Sequence, residues 1–178
     1  AVIAALLSLM PMGQPLVIGT GATLTSAALI LSVPEKAKAE TADVYFDRAY
    51  DKAEKGDDYG AIADYTKAIE INPRNAAAYN NRGLSKSNLN DDYGAIADYT
   101  KSIEIDPKDA NTYNNRGLSK SNLNDYQGAI SDFTKSIEIN PKDADSYNNR
   151  GYAKYDLKDY KGAISDFTKS IEINPKHP

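Results

Sequence analysis

The sequence predicts an all-α protein: a right-handed α-solenoid of four helix-turn-helix units, preceded by an apolar, membrane-spanning helix. The first observation is self-similarity, because from about residue 42 onward the chain matches itself after a shift of 34 residues. The second is that the apolar residues in each half of a repeat are spaced as one face of a helix. The period is marked by Tyr45, Tyr79, Tyr113 and Tyr147, and by Pro73, Pro107, Pro141 and Pro175.

Residues 1–34 contain no charged side chain. Within them, residues 16–33 are uncharged and mostly apolar, and as a helix they would be about 27 Å long, enough to cross a bilayer. Three interpretations stay open. We favour a retained membrane anchor; the alternatives are an export signal, whose cleavage pattern would be Ala37-Lys38-Ala39, and a buried hairpin of a soluble domain.

Residues 35–41 form a short charged linker, after which the repeats occupy about residues 42–75, 76–109, 110–143 and 144–178. Thr41 or Asp43 can cap the first helix, which is predicted to begin near Val44. The last repeat is followed by no polar capping helix in this sequence. We therefore expect some of Ile164, Phe167 and Ile171 to stay partly uncovered and to offer a surface for self-association or another contact.

Residues 113–141 show how one repeat is built. Tyr113 and Gly117 lie on one face of the first helix, and Ala129 and Phe133 lie on one face of the second. Pro141 ends the second helix, because the residue before a proline is pushed out of the helical region. A glycine inside a helix costs about 1 kcal/mol relative to alanine. We therefore expect Gly117 to allow a close approach to the paired helix at Ala129.

This pattern over residues 42–178 resembles the tetratricopeptide repeat (TPR) family. The resemblance implies that the first helices line a concave face, where an asparagine on each helix grips the backbone of an extended peptide. Asn81, Asn115 and Asn149 match that asparagine, although they could also be merely solvated. The full set of predicted groove residues is Asn80, Asn81, Leu84, Asn88, Asn114, Asn115, Leu118, Asn122, Asn148, Asn149, Tyr152 and Tyr155.

The resemblance also argues against capture of an acidic C-terminus. Family members that bind such tails carry basic residues in the first turn of these helices, and this chain has Ala77, Asn111 and Asp145 there.

One charged pairing recurs in every repeat. An arginine is followed sixteen residues later by an aspartate, so that folding the two helices together brings the two side chains near each other. We predict a structural ion pair in each repeat; arginines offered to an anionic ligand are the alternative. The pairs are Arg48 with Asp64, Arg82 with Asp98, Arg116 with Asp132, and Arg150 with Asp166.

Composition argues against several classes of function. The 21 basic and 25 acidic residues give a net charge of −4 and are mixed along the repeats, which disfavours nucleic acid as a partner. There is no cysteine, and the single histidine, His177, has no cluster of ligands nearby. The acidic residues recur with the repeats instead of converging as an acid/base pair does. We expect no cofactor, no metal and no enzymatic activity.

The sequence therefore predicts a membrane-attached adaptor that binds a protein or peptide partner. By resemblance, it would be a subunit or assembly factor of a membrane complex, such as a photosynthetic one, in a bacterial inner or thylakoid-type membrane. If the N-terminal segment is instead a cleaved signal, the protein would act in the periplasm, in a lumen or outside the cell. An enzyme with an unrecognised site is the distant alternative.

Overall fold

The computed structural model describes residues 41–175, which form eight α-helices and no strand. The helices alternate between a first and a second helix of each repeat, as the sequence predicted. In chain order they are α1 (Ala42–Glu54), α2 (Asp58–Ile71), α3 (Ala76–Asn88), α4 (Asp92–Ile105), α5 (Ala110–Asn122), α6 (Tyr126–Ile139), α7 (Ala144–Asp156) and α8 (Tyr160–Ile173).

Polar caps fix where the helices begin. The Thr41 side chain accepts a hydrogen bond from the Val44 backbone nitrogen (3.4 Å), which confirms the first of the two predicted caps. The second helices use an aspartate: Asp125 Oδ1 accepts from the Gly128 nitrogen at 3.0 Å, and the other three repeats do the same. Such a cap satisfies one of the backbone N–H groups that a helix start leaves unpaired.

The turn within each repeat needs one residue in the left-handed backbone region. Gly56 has a φ of +77° in the first repeat, and Asn90 and Asn124 have +62° in the next two. Glycine and asparagine tolerate this conformation best, which explains the asparagine-rich turns. The fourth repeat places Lys158 there at +66°, a residue that adopts this region less readily.

Gly117 lies against the paired helix, as predicted, but its nearest neighbour is not Ala129. A Cβ atom added to Gly117 would lie 2.6 Å from Cε1 of Phe133, and the three nearest atoms all belong to that ring. A phenylalanine ring extends further from its helix than an alanine methyl group, so the ring occupies the space that glycine leaves. Phe133 is fully buried there.

The stack curves with its first helices on the inner side. Among residues 41–175, α1 contacts α3, α3 contacts α5 and α5 contacts α7, whereas the second helices make no contact with one another. Helices that touch across successive repeats must lie on the shorter, concave side of the curve. The concave face that the family resemblance implied is therefore formed by α1, α3, α5 and α7.

The last repeat leaves apolar surface open. Ile164 and Ile171 of α8 are 66% and 57% exposed. Ile137, the equivalent of Ile171 in α6, is only 9% exposed because α7 covers it. Phe167 is half-buried, and Phe133 is fully buried. The prediction that some of these side chains are left partly uncovered is confirmed.

The predicted membrane span, residues 16–33, lies outside the described residues and stays a prediction. Between residues 41 and 175, no helix has the length and apolar character needed to cross a membrane.

A candidate protein-interaction groove

A continuous stripe of side chains faces the concave side of the stack. In each first helix it consists of four residues spaced i, i+4, i+7 and i+11, which share one helical face. All are exposed or half-buried. This set, called here the groove stripe, comprises Asp43, Asp47, Tyr50 and Glu54; Ala77, Asn81, Leu84 and Asn88; Asn111, Asn115, Leu118 and Asn122; and Asp145, Asn149, Tyr152 and Asp156.

Two of the predicted groove asparagines join neighbouring repeats. Asn115 Nδ2 donates to Asn80 Oδ1 at 3.2 Å, and Asn149 Nδ2 donates to Asn114 Oδ1 at 3.0 Å. Asn80 and Asn114 are also each bonded to a hydroxyl on the next first helix, that of Thr112 and of Ser146. These bonds connect neighbouring repeats and fix the orientation of the Asn115 and Asn149 amides.

Asn115 and Asn149 each keep one polar atom without a hydrogen bond among residues 41–175, whereas Asn81 Oδ1 accepts from Asn80 Nδ2 at 3.2 Å. Asn115 and Asn149 each use the amide nitrogen in the bond to the previous repeat, and within residues 41–175 their carbonyl oxygens accept no hydrogen bond. An amide held in this way presents a fixed polar group, and a peptide backbone offers the complementary one. Leu84 and Leu118, 46% and 40% exposed, lie beside them and add apolar area.

The other pair of predicted asparagines also bridges repeats. Asn88 Nδ2 donates to Asp58 Oδ1 at 3.2 Å, and Asn122 Nδ2 donates to Asp92 Oδ1 at 3.1 Å. Both acceptors lie at the start of the preceding repeat's second helix. Each of these amides therefore links two repeats, and its nitrogen is already used in that bond.

The two tyrosines of the last repeat combine packing with exposure. The ring of Tyr152 meets Phe167 edge-on, with centroids 5.0 Å apart, and the ring of Tyr155 meets Tyr160 at 5.4 Å. Both tyrosines are still more than half exposed. Tyr152 belongs to the groove stripe. Tyr155 does not belong to it and lies beside it, in contact with Tyr160 of α8. Asn148, the remaining predicted residue, is half-buried on α7.

Charge in the groove stripe is confined to its two ends. Asp43, Asp47 and Glu54 lie on α1, and Asp145 and Asp156 lie on α7. The stripe on α3 and α5 is neutral, and no lysine or arginine belongs to the stripe on any of the four helices. The sequence prediction missed this pattern, although the acidic residues occupy the same register of the 34-residue period as the asparagines and leucines.

The arginines of the first helices are held inside each repeat by ion pairs. Arg116 binds Asp132 through both Nε and Nη2, at 2.9 and 2.7 Å, and Lys120 binds the same carboxylate at 2.8 Å. The predicted arginine–aspartate pair is confirmed in all four repeats. The lysine four residues after the arginine was not predicted, but the same period shows it.

A second contact ties each arginine to the preceding repeat. Arg116 Nη1 donates to Thr100 Oγ1 at 3.1 Å, and Arg82 and Arg150 make the same bond to Thr66 and Thr134. Because each of these guanidinium groups already binds an aspartate and a threonine, the arginines are poorly placed to bind an anionic ligand. In the first repeat, the hydrogen bond from Arg48 lowers the pKa of Asp64 to about 2, assisted by Lys52 and opposed by burial, so the carboxylate stays charged at neutral pH.

Comparison with known sequence families decides the family. A tetratricopeptide repeat model matches residues 110–143 and 144–177, and two further TPR models match residues 49–90 and 76–109. Together they span residues 49–177, most of the chain. The chain belongs to the tetratricopeptide repeat family. A search of curated proteins found no significant match.

Solved structures share this TPR fold. A crystal structure of MamA superposes with a TM-score of 0.76 at 22% identity, covering 79% of this chain and 82% of that one. A second MamA structure is 28% identical, with a TM-score of 0.72 and coverage of 76% and 74%. The first TPR domain of Spaghetti, bound to the HSP90 peptide SRMEEVD, has a TM-score of 0.65 at 21% identity and covers 66% of this chain and 94% of its own.

Proposed function

We propose that this TPR protein is a non-enzymatic adaptor that holds an extended segment of a partner protein along the groove stripe. The observation that carries the proposal is the row of hydrogen-bonded amides at Asn81, Asn115 and Asn149, with the exposed side chains of Leu84, Leu118 and Tyr152 beside them. The fold it shares with a peptide-bound TPR domain supports the same function.

The charges of the groove stripe define the class of segment. Five carboxylates with no cation among them would repel an acidic peptide such as the one bound to the Spaghetti domain. The neutral stripe on α3 and α5 suits a centre of polar and apolar residues, and the acidic ends suit Lys or Arg towards the ends of the segment. Neighbouring helices pack about 8–10 Å apart. Four first helices therefore span about 25–30 Å, or about eight residues of extended chain.

Panning a random decapeptide library against the full chain tests this function. We expect enriched peptides to have a neutral centre, basic residues near the ends and few Asp or Glu. Replacing all three asparagines (Asn81→Ala, Asn115→Ala, Asn149→Ala) should weaken the selected peptides at least tenfold, because each lost amide leaves a peptide group unpaired at a cost of about 1–3 kcal/mol.

The matched control changes three lysines on the second helices, Lys67→Ala, Lys101→Ala and Lys135→Ala, and should leave binding unchanged. These lysines are exposed and pair only with glutamates of their own helices. Enrichment of acidic peptides, or full binding by a folded triple-asparagine variant, would contradict the proposal.

We further propose that residues 16–33 anchor the adaptor to a membrane, where it serves as a subunit or assembly factor of a membrane complex. The absence of any charged side chain in residues 1–34 supports this proposal. We expect the protein to remain with native membranes through alkaline carbonate washing. Release into the wash, together with a mature N-terminus at Glu40, would instead favour an exported or lumenal adaptor whose signal has been removed.

A further inference from the structure

One position of the groove stripe is apolar in every repeat. It is occupied by Tyr50, Leu84, Leu118 and Tyr152, which follow one another at intervals of 34 residues. All four side chains are between 40% and 58% exposed. Among residues 41–175, no other position of the repeat carries an exposed large apolar side chain in all four copies. This set, called here the apolar row, offers a ligand one apolar contact on each first helix.

The packing of the repeats sets the spacing of the apolar row. Asn115 of α5 donates to Asn80 of α3 at 3.2 Å, and Asn149 of α7 donates to Asn114 of α5 at 3.0 Å, so successive first helices touch. Helices in contact lie about 8–10 Å apart. A ligand that contacts the whole row must therefore present an apolar side chain on one face at intervals of about 8–10 Å.

A β-strand does not meet this condition. Its side chains alternate between two faces, and each residue advances the chain by about 3.3 Å. Side chains on one face are therefore about 7 Å apart at every second residue and about 13 Å apart at every fourth. Residues three apart have the required spacing of about 10 Å, but they lie on opposite faces. A strand cannot contact the apolar row in every repeat.

A polyproline II helix does meet the condition. It has about three residues per turn and rises about 3.1 Å per residue, so residues three apart share a face and are about 9 Å apart. Four such residues span about 28 Å, which matches the length of the four first helices. An α-helix also fits by spacing alone, because residues seven apart share a face at about 10.5 Å.

The groove amides decide between these two conformations. In each repeat after the first, an asparagine lies three residues before the apolar side chain, a separation of about 5–6 Å on a helix surface. The carbonyl oxygens of Asn115 and Asn149 accept no hydrogen bond among residues 41–175, so each can take a donor from the ligand. A polyproline II helix has no internal hydrogen bonds and leaves its N–H groups free. An α-helix uses its N–H groups internally.

We propose that the groove stripe binds its partner segment as a polyproline II helix with an apolar residue at every third position. Proline suits the two outer positions, because the rings of Tyr50 and Tyr152 offer flat apolar surfaces. Leucine suits the two inner positions, which meet Leu84 and Leu118. A Lys or Arg beside each proline would face the carboxylates of α1 and α7. This inference rests on the proposed function and adds the conformation and the sequence period of the segment.

Two fluorescein-labelled peptides of identical composition test the proposal. The period-three peptide carries Pro, Leu, Leu and Pro at every third position, with glutamine between them and Lys and Arg at its ends. In the shifted peptide, each leucine is moved by one residue towards the nearer proline. Both are titrated with the full chain and followed by fluorescence anisotropy. We expect the period-three peptide to bind at least tenfold more tightly, because only its apolar side chains all face the row.

Protein variants locate the contact. Leu118→Ala should weaken binding of the period-three peptide at least fivefold, and this effect should largely disappear for a peptide whose two leucines are alanine. The matched control is Tyr93→Ala on the second helix α4, which removes a side chain that is 77% exposed outside the groove stripe. It should leave binding unchanged. An equal effect of Leu118→Ala and Tyr93→Ala would overturn the proposal.

The outcomes separate this inference from the proposed function. Equal binding of the period-three and shifted peptides would overturn the inference and leave the adaptor function standing. Equally tight binding of a stapled α-helix with apolar residues seven apart would do the same. If neither peptide binds and the panned decapeptides lack an apolar period of three, the inference again fails alone. If panning also enriches no peptide, the inference and the proposed function fail together.

Discussion

Replacing Asp132 with alanine is expected to lower the free energy of unfolding by about 3–5 kcal/mol. The Asp132 side chain is only 5% exposed and holds both Arg116 and Lys120, whose side chains are 16% and 21% exposed. Removing the carboxylate leaves two cations close together in a largely dry site, with no anion between them. Urea denaturation followed by circular dichroism measures the loss.

The matched control for Asp132 is Glu138→Ala on the same helix. Glu138 pairs with Lys135 at 3.0 Å, but both side chains are about half exposed, so this pair is screened by water. Its loss should cost no more than about 0.5 kcal/mol. Similar losses in the two variants would contradict the view that the buried carboxylate organises the repeat.

Replacing Gly117 with leucine is expected to cost about 3 kcal/mol, the upper part of the usual range for overpacking. The first added atom would already lie 2.6 Å from the Phe133 ring, which is fully buried and cannot move aside without disturbing the core. The rest of the leucine side chain has no space to occupy. Thermal and urea unfolding should both show the loss.

Two variants calibrate the Gly117 result. Gly117→Ala adds only the first of these atoms and should therefore cost less than leucine, because the Phe133 ring has to shift less and alanine regains about 1 kcal/mol of helix propensity. The first repeat already has Ala49 at this position. Leu118→Ala, at the exposed neighbouring position, should change stability little. A Gly117→Leu variant as stable as the wild type would mean that the two helices of the repeat do not approach closely at Gly117.

The fold could be predicted because the same 34-residue pattern occurs four times in the sequence. A proline after the second helix, a glycine or alanine at the helix contact, and an arginine sixteen residues before an aspartate each recur at 34-residue intervals. The close approach at Gly117 was predicted, but the side chain that fills it was not. Helical periodicity predicted which face of α6 approaches the glycine, but not that the Phe133 ring would fill the gap instead of Ala129.

The groove was harder to predict, because an asparagine that binds a ligand and one that joins two repeats look alike in sequence. Asn80 and Asn115 are both polar residues on first helices, and only the packing of successive helices shows that Asn80 receives the amide of Asn115. The bond from Asn88 to Asp58 likewise links residues of different repeats. The acidic ends of the groove share one register of the 34-residue period in the sequence, but only the packing of successive repeats shows that this register faces the concave side.

The most direct measurement of where the partner binds is site-specific photo-cross-linking in the native membrane or extract. Leu118, at the neutral centre of the groove stripe, is replaced by p-benzoylphenylalanine in one protein, and Glu138, on a second helix, in another. Mass spectrometry then identifies the cross-linked peptide. The adaptor proposal predicts cross-links from position 118 to an uncharged segment flanked by basic residues, and none to that segment from position 138. Cross-links to the partner from position 138 alone would contradict it.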